Sequence, residues 1–283
     1  MLILSFLYTL LSSMVFTLEP TDIEKIDLKL TAEETAFTFL ELESGEATLI
    51  QTGQGETTLV NTGGPNTRKM LEERLSVYEV SKIDNIIITN IGADYCANLD
   101  WLVEAYGVSN VYVSQAVKET MIHAYSLGNI NVVGWKKADK AKISDSLLID
   151  VLHAEELNEF DKGSLALLLT FGNQKVLYMG LANEEIETLL VNEYELEAQI
   201  LKVGDFASER GTSQKFIDEV DPQVAVIFRT KDRNPSEDVL DRLQETWIDT
   251  YLTMKSGNIS IKCSIENYKI ITIPNENPDI GIS

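Results

Sequence analysis

Residues 47–64, ATLIQTGQGETTLVNTGG, and residues 165–182, LALLLTFGNQKVLYMGLA, repeat one pattern in two distant parts of the chain. Each stretch is an apolar segment, a short turn that contains glycine, a second apolar segment, and a glycine before a predicted helix. Short apolar runs bounded by turn residues are typical of β-strands. The sequence therefore predicts two β-hairpins, each followed by a helix, and two halves related by a pseudo-two-fold axis.

Further strands and helices extend both halves. Apolar periodicity predicts helices at 66–78, 97–106, 115–127, 183–191, 213–219 and 236–247. Additional strands are predicted at 84–89, 111–113, 147–152, 198–203, 224–228, 249–253, 258–263 and 268–273. Continuous apolar runs such as IIIT at 86–89 suit strands that are covered on both faces. The predicted fold class is α/β, with two sheets packed face to face and helices outside them, a four-layer α/β/β/α sandwich.

The chain begins with an uncharged segment, LILSFLYTLLSSMVFT at 2–17. This segment is shorter than the roughly 20 residues of a bilayer-spanning helix, and it occupies the place of a signal-peptide core. We expect residues 1–17 to be a signal or membrane anchor, and the protein to be extracytoplasmic, secreted or membrane-anchored. The alternative is a first strand or helix of the core. Residues 18–35 form a connector, and residues 36–283 a single domain, since no linker-like stretch divides them.

The composition argues against a nucleic-acid partner. The 283 residues include 23 basic and 45 acidic side chains, a net charge of −22, which repels polyanions at long range. The one basic cluster, at 136–142, is interpreted as a solvated loop face rather than a phosphate patch. Two cysteines, Cys96 and Cys263, are too few for a disulfide framework, and the sequence does not decide whether they form a single bridge.

Six stretches resemble, in order, the metallo-β-lactamase fold family, and within it the soluble hydrolase-like domain of ComEC-type DNA-uptake proteins. IIITNIGADYCANL stands where that family has a histidine-rich HxHxDH loop, and VGDFAS where it has an HHGS motif. The six are FLELESGEATLI (39–50), LVNTGG (59–64), IIITNIGADYCANL (86–99), SLALLLTFGNQKVLYMGLANEE (164–185), VGDFASERGTSQKFIDEVDPQVAVI (203–227) and NPSEDVLDRL (234–243).

The resemblance implies a pocket for two metal ions, whose ligands are neutral imidazoles and carboxylates around a bridging water. This chain keeps few of those ligands. The three loop histidines are replaced by Asn90, Gly92 and Tyr95, and the bridging aspartate by Leu181. The degenerate ancestral pocket is therefore predicted from Asn61, Asn90, Gly92, Asp94, Tyr95, Leu181, Asp205 and Phe206. The late family histidine is also missing, since Asn234 stands in its place.

Two interpretations of this pocket remain. In the first, no residue is catalytic, no cofactor is expected, and the protein is a binding or scaffolding module with an unidentified partner. Asp94 then caps a helix that begins near Ala97, Asp205 caps or solvates a loop, and His123 lies on a helix surface. In the second, Asp94, Asp205 and His153 hold one weakly bound divalent metal, and the chain is a phosphodiesterase- or nuclease-like hydrolase with a rebuilt site.

Overall fold

The computed structural model of the protein describes residues 25–154 and 163–274. Two large sheets contain the strands of these residues. The first sheet contains β1 (Thr35–Phe39), β2 (Thr48–Thr52), β3 (Thr57–Val60), β4 (Asn85–Ile87), β5 (Asn110–Ser114), β6 (Asn131–Trp135), β14 (Asn258–Cys263) and β15 (Tyr268–Ile273). The second contains β7 (Lys140–Lys142), β8 (Leu147–Ala154), β9 (Leu165–Phe171), β10 (Gln174–Met179), β11 (Ile200–Lys202), β12 (Val224–Ile227) and β13 (Asp249–Leu252). Their spatial orders are β15-β14-β1-β2-β3-β4-β5-β6 and β13-β12-β11-β10-β9-β8-β7.

Short helices follow the strands of both sheets. They are α1 (Arg68–Val77), α2 (Ala93–Cys96), α3 (Leu99–Tyr106), α4 (Lys118–Ala124), α5 (Glu184–Glu193), α6 (Gln214–Val220), α7 (Glu237–Glu245) and α8 (Thr253–Ser256). Two 3₁₀ turns, Gln115–Val117 and Gly204–Ala207, complete the set. Asn183 begins α5 by accepting hydrogen bonds from the backbone N–H groups of Glu185 and Ile186.

The two predicted hairpins are confirmed, one in each sheet. β2 pairs antiparallel with β3, and β9 pairs antiparallel with β10. From each hairpin the sheet continues through parallel strands, β4 to β6 in the first sheet and β11 to β13 in the second. The repeated sequence pattern therefore corresponds to a repeated structural unit.

Three hydrophobic clusters establish the layers of the fold. The central cluster lies between the sheets, and each of the others lies between one sheet and its helices. Alternation along β9 shows the arrangement: Leu165, Leu167 and Leu169 join the central cluster, whereas Ala166 and Leu168 join the helix-covered one. Because both faces of the strand are buried, its sequence is almost uninterruptedly apolar. The predicted α/β/β/α sandwich is confirmed.

Several local predictions need correction. The helix predicted at 97–106 is α3, which begins two residues later, at Leu99, and it is preceded by a separate short helix, α2, which the sequence did not predict. The helix predicted at 115–127 is a 3₁₀ turn followed by the shorter α4. The edge strands β6 and β7 were not predicted, since β6 lacks a continuous apolar run and β7 is lysine-rich.

Three of the four lysines in the basic cluster form ion pairs, and part of the cluster lies on a strand rather than on a loop. Lys137 pairs with Glu193, Lys140 with Asp150, and Lys142 with Asp145. A phosphate patch would need these charges to be free.

Cys96 and Cys263 are not disulfide-bonded and lie in different hydrophobic clusters, so the sequence's open question of a bridge between them is answered: it does not form. The predictions for residues 1–17 and 18–24 fall outside the described residues. Within 25–154 and 163–274, no helix combines the length and apolar content that a bilayer crossing requires.

Candidate functional site

A cleft of about 880 Å³ opens at one edge of the sandwich, beyond the carboxyl ends of β4, β10 and β11. Crevices at the carboxyl ends of parallel strands are common ligand sites, because loops from several strands meet there. Seven of the eight predicted pocket residues line this cleft: Asn90, Gly92, Asp94, Tyr95, Leu181, Asp205 and Phe206. The eighth, Asn61, is fully buried and is not part of the lining.

Both carboxylate oxygens of Asp94 accept hydrogen bonds from hydroxyl groups. Ser44 Oγ donates to Oδ1 over 2.9 Å, and Thr230 Oγ1 donates to Oδ2 over 3.1 Å. Asp94 itself lies inside α2, and the next helix, α3, begins at Leu99 and is preceded by Asn98, which makes no side-chain cap. The predicted capping role of Asp94 is therefore wrong, and the residue instead joins the first sheet to the loop that follows β12.

Asp205 is held by two arginines rather than by solvent or a helix end. Arg210 Nη2 donates to Oδ2 over 2.7 Å, and Arg233 Nη2 donates to Oδ1. The same Arg233 nitrogen also donates to the backbone oxygen of Asp205 over 2.7 Å. Tyr95 Oη adds a longer bond of 3.4 Å to Oδ1. The prediction that Asp205 caps or solvates a loop is corrected by this ion cluster.

The backbone around Asp205 adopts an unusual conformation. Asp205, Phe206 and Ala207 have φ values of 44°, 58° and 58°, in the left-handed region that non-glycine residues rarely occupy. Such residues persist where neighbouring contacts fix them. Here the Phe206 ring packs against Tyr95 at 5.6 Å between centroids, and the Arg233 guanidinium lies 5.6 Å from the Phe206 centroid.

Asn90, Gly92 and Leu181 build the cleft walls without offering a ligand. Asn90 Oδ1 accepts from the Gly92 N–H over 2.7 Å, and Asn90 Nδ2 donates to Ser164 Oγ over 2.8 Å. Leu181 is buried in the cluster between the second sheet and its helices. Gly92 has no side chain, so these three positions define shape rather than chemistry.

A buried polar network lies close to the cleft and joins the two sheets. Lys202 Nζ donates to Glu46 Oε2 over 2.6 Å, and Asn61 Nδ2 donates to the same oxygen over 3.2 Å. Burial raises the pKa of Glu46 and lowers that of Lys202. Burial, with the nearby Glu46 and Asp205 carboxylates, holds the pKa of Tyr95 well above its usual range.

Among the charged residues of the site, sequence reasoning missed Glu46, Lys202, Arg210 and Arg233. A lysine in the apolar run ILKV at 200–203 is a usable signal, because a charged residue inside a buried strand needs a partner. The two arginines carry no comparable signal, since they stand 23 positions apart in polar loops.

Comparison with known proteins agrees with this architecture. The family profile of the metallo-beta-lactamase superfamily matches residues 41–231, more than half of the chain. The chain belongs to the metallo-β-lactamase superfamily. It is also 25% identical over 205 residues to ComE operon protein 3 of Bacillus subtilis (strain 168). That match covers 69% of this chain but only 26% of the relative, so the chain spans about a quarter of the relative's length.

Solved structures of low sequence identity share the fold. The metallo-beta-lactamase fold protein YhfI from Bacillus subtilis superposes with a TM-score of 0.60 at 14% identity, covering 82% of this chain and all of YhfI. Igni18, a metallo hydrolase from the archaeon Ignicoccus hospitalis, superposes with a TM-score of 0.56 at 12% identity, covering 85% of this chain and all of Igni18. At these identities the likeness concerns the fold alone.

The donor set of this metallo-β-lactamase-fold cleft does not fit the two metal ions that the family implies. Within 25–154 and 163–274, no three His, Cys, Asp or Glu side chains are grouped so as to hold a metal. Asp94 and Asp205 already use their oxygens on hydroxyls and guanidiniums. His153 lies on β8 and is not part of the cleft lining, so the one-metal alternative lacks its imidazole. His123 lies on α4, a helix, as predicted.

Proposed function

We propose that this chain is a non-catalytic member of the metallo-β-lactamase superfamily that acts as a binding or scaffolding module. One observation carries the proposal: the two carboxylates left at ligand positions, Asp94 and Asp205, are already bonded to side chains of the protein. A hydrolytic metal site needs imidazoles as well as carboxylates and an open coordination position for water, and the two guanidiniums on Asp205 compete with a metal ion for its oxygens. Gly92, Leu181 and Phe206 supply none of these donors.

The cleft itself supports a binding role. Its volume of about 880 Å³ lies within the range of small-molecule sites, and aromatic, amide and charged groups line it. Its lining also includes Glu184, Glu185 and Asp232. Together with the net charge of −22, these carboxylates disfavour nucleic acid as the partner.

The proposal is tested on purified protein by metal analysis and by a phosphodiesterase assay with and without a chelator. We expect less than one equivalent of tightly bound zinc or manganese, and no hydrolysis of nucleic acid or phosphodiesters. A variant with Asp94→Ala and Asp205→Ala is the matched control, because any trace activity that survives in it does not depend on the two carboxylates left at ligand positions. Two bound metals in the parent, with turnover abolished by the chelator, would overturn the proposal in favour of a rebuilt hydrolase.

We further propose an extracytoplasmic location, secreted or membrane-anchored, on the strength of the uncharged segment 2–17. Fractionation of cells that express the full chain decides the matter. Recovery of the uncleaved chain in the soluble cytoplasmic fraction would exclude export.

A further inference from the structure

We propose that Arg210 and Arg233 take the place of the family's metal ions as the cations of this cleft, and that the cleft keeps its shape through direct bonds between its walls. Asp205 stands where the family has a histidine ligand, and both of its side-chain oxygens accept from these guanidiniums. The inference rests on the proposed function only in so far as the cleft holds no catalytic metal.

Two sets of contacts cross between the sheets at the cleft. Asp94, which follows β4 of the first sheet, accepts from Thr230, which follows β12 of the second. Tyr95, in the same segment after β4, donates to Asp205, which follows β11 of the second sheet. The loop after β12 is bonded to the first sheet at two further points, Gly45 N–H to Arg229 O and Lys231 N–H to Ser44 Oγ. These bonds connect the two walls without a shared ion.

The charges of the arginine cluster oppose metal binding. One carboxylate between two guanidiniums leaves the group Arg210–Asp205–Arg233 with a formal charge of +1. A divalent cation at Asp205 would face that charge at short range, where Coulomb interactions are strongest. It would also have to displace charge-assisted hydrogen bonds, which are among the stronger ones in proteins.

Arg233 is the positioning residue of the cluster. Its guanidinium contacts the Asp205 side chain and backbone oxygen and lies over the Phe206 ring. These contacts fall on two of the three consecutive left-handed residues, whose conformation is unfavourable on its own. A planar guanidinium with several fixed donors can hold backbone and side chain together, and a lysine cannot do so in the same geometry.

Thermal unfolding of the full chain tests the structural part of the inference. The melting temperature of the parent should not change on addition of a chelator or of zinc. Arg210→Gln with Arg233→Gln should lower it by about 2–4 °C or more, the shift expected for a loss of one or more stabilising contacts in a domain of this size. Arg233→Lys should recover only part of the loss. Lys231→Gln is the control, since it removes a surface-exposed ion pair, with Glu43, from the same loop and leaves the less exposed Asp205 pairs intact.

Zinc titration by calorimetry tests the electrostatic part. The probe protein carries Asn90→His, Gly92→His, Tyr95→His, Leu181→Asp and Phe206→His, with or without the two Arg→Gln substitutions. Zinc should bind roughly tenfold or more tightly when the arginines are absent, which is the scale of outer-shell effects on metal affinity. Equal zinc affinity in both backgrounds, or an unchanged melting temperature in the Arg→Gln variant of the parent, would overturn the inference. If the probe protein does not fold, the melting-temperature comparison in the parent still decides.

These outcomes are separable from a failure of the proposed function. Chelator-sensitive turnover by the parent would overturn the non-catalytic role. The melting temperatures and zinc affinities of the arginine variants test only the role of the arginines.

Discussion

Lys202 Nζ lies 2.6 Å from Glu46 Oε2, and neither side chain is exposed to solvent. Glu46 precedes β2 of the first sheet and Lys202 ends β11 of the second, so the ion pair connects the sheets through the middle of the sandwich. The ammonium also lies 4.5 Å from the centroid of the Tyr178 ring. Burial raises the pKa of Glu46 and lowers that of Lys202, so each partner depends on the other to remain charged.

Lys202→Met should therefore destabilise the protein in a pH-dependent way. Removing one partner of a buried ion pair costs about 3–5 kcal/mol, because the remaining charge has no compensation. Burial already raises the pKa of Glu46, and loss of the lysine raises it further. A carboxyl group whose pKa is higher in the folded protein than in the unfolded chain makes its full contribution to stability at pH values below the unfolded-chain pKa. That contribution is lost as the pH rises through the pKa of the folded protein. Urea denaturation should show a larger loss of stability at pH 8 than at pH 5.

The control is the double variant Glu46→Leu with Lys202→Met. Replacing both members of a buried pair by apolar side chains is often neutral or stabilising. We expect the double variant to be more stable than Lys202→Met alone and to show little of its pH dependence. A single variant whose stability is flat between pH 5 and pH 8 would contradict the assignment of the loss to Glu46.

The fold could be predicted from sequence because its signals are local and repeated. The apolar runs that form β9 and β10, and the glycine-containing turn between them, lie within a few residues of one another. The edge strands β6 and β7 were missed for the opposite reason. β7 is short, and two of its three residues are lysines, so it buries too little apolar surface to produce a pattern.

For the candidate site, the sequence predicted which residues lie at the cleft but not which groups they contact. The motif order located Asp94 and Asp205 at the cleft, but not the groups bonded to them. Asp94 is hydrogen-bonded to Ser44 and Thr230, which lie 50 and 136 residues away in the sequence. Arg233 is bonded to Asp205, which lies 28 residues away in the sequence. This bond also depends on the left-handed turn at Asp205, which no local residue preference indicates. Such contacts depend on how loops pack, which residue types and spacing do not encode.

Asn61→Asp, which restores the family's residue, should weaken the fold. Asn61 Nδ2 donates to Glu46 Oε2 over 3.2 Å, and an aspartate would put a second carboxylate there. Loss of a buried donor and the added charge should cost about 1–3 kcal/mol. The cost should be larger at pH 8 than at pH 5, because protonation of one carboxyl at low pH relieves the repulsion. Denaturant titration at both pH values measures it.

Asn66→Asp is the matched control for backbone effects. Asn61 and Asn66 have φ values of 62° and 65°, but Asn66 is exposed. Aspartate, like asparagine, tolerates the left-handed region. Asn66→Asp should leave stability nearly unchanged, and an equal loss in both variants would assign the effect to the turn rather than to Glu46.

The two cysteines should be unreactive in the folded protein and reactive after unfolding. Both are buried and neither is disulfide-bonded, and burial raises the pKa of Cys263 to about 12. Because the thiolate is the reactive form, a thiol reagent at pH 8 should label neither residue in the native state and two thiols in denaturant without reductant. The raised pKa of Cys263 also makes the free energy of unfolding depend on pH. The contribution of this thiol is retained below the ordinary pKa of a cysteine and declines as the pH rises from there towards 12. Labelling of fewer than two thiols in denaturant would indicate a bridge.

Trp247→Gly should stabilise the protein, although it removes a large aromatic side chain. Trp247 follows α7 with φ of 60°, and its side chain is 94% exposed. Its N–H donates to Gln244 O, and the Ile248 N–H donates to Leu243 O, the paired bonds of a helix end that favours glycine at this position. Glycine removes the left-handed strain, while the exposed ring contributes little burial. The free energy of unfolding should rise by about 0.5–1 kcal/mol. The control is Trp247→Ala, which removes the ring but keeps Cβ and its strain, and it should show no such gain. Urea denaturation measures both variants. Equal effects of the two substitutions would refute the argument from backbone conformation.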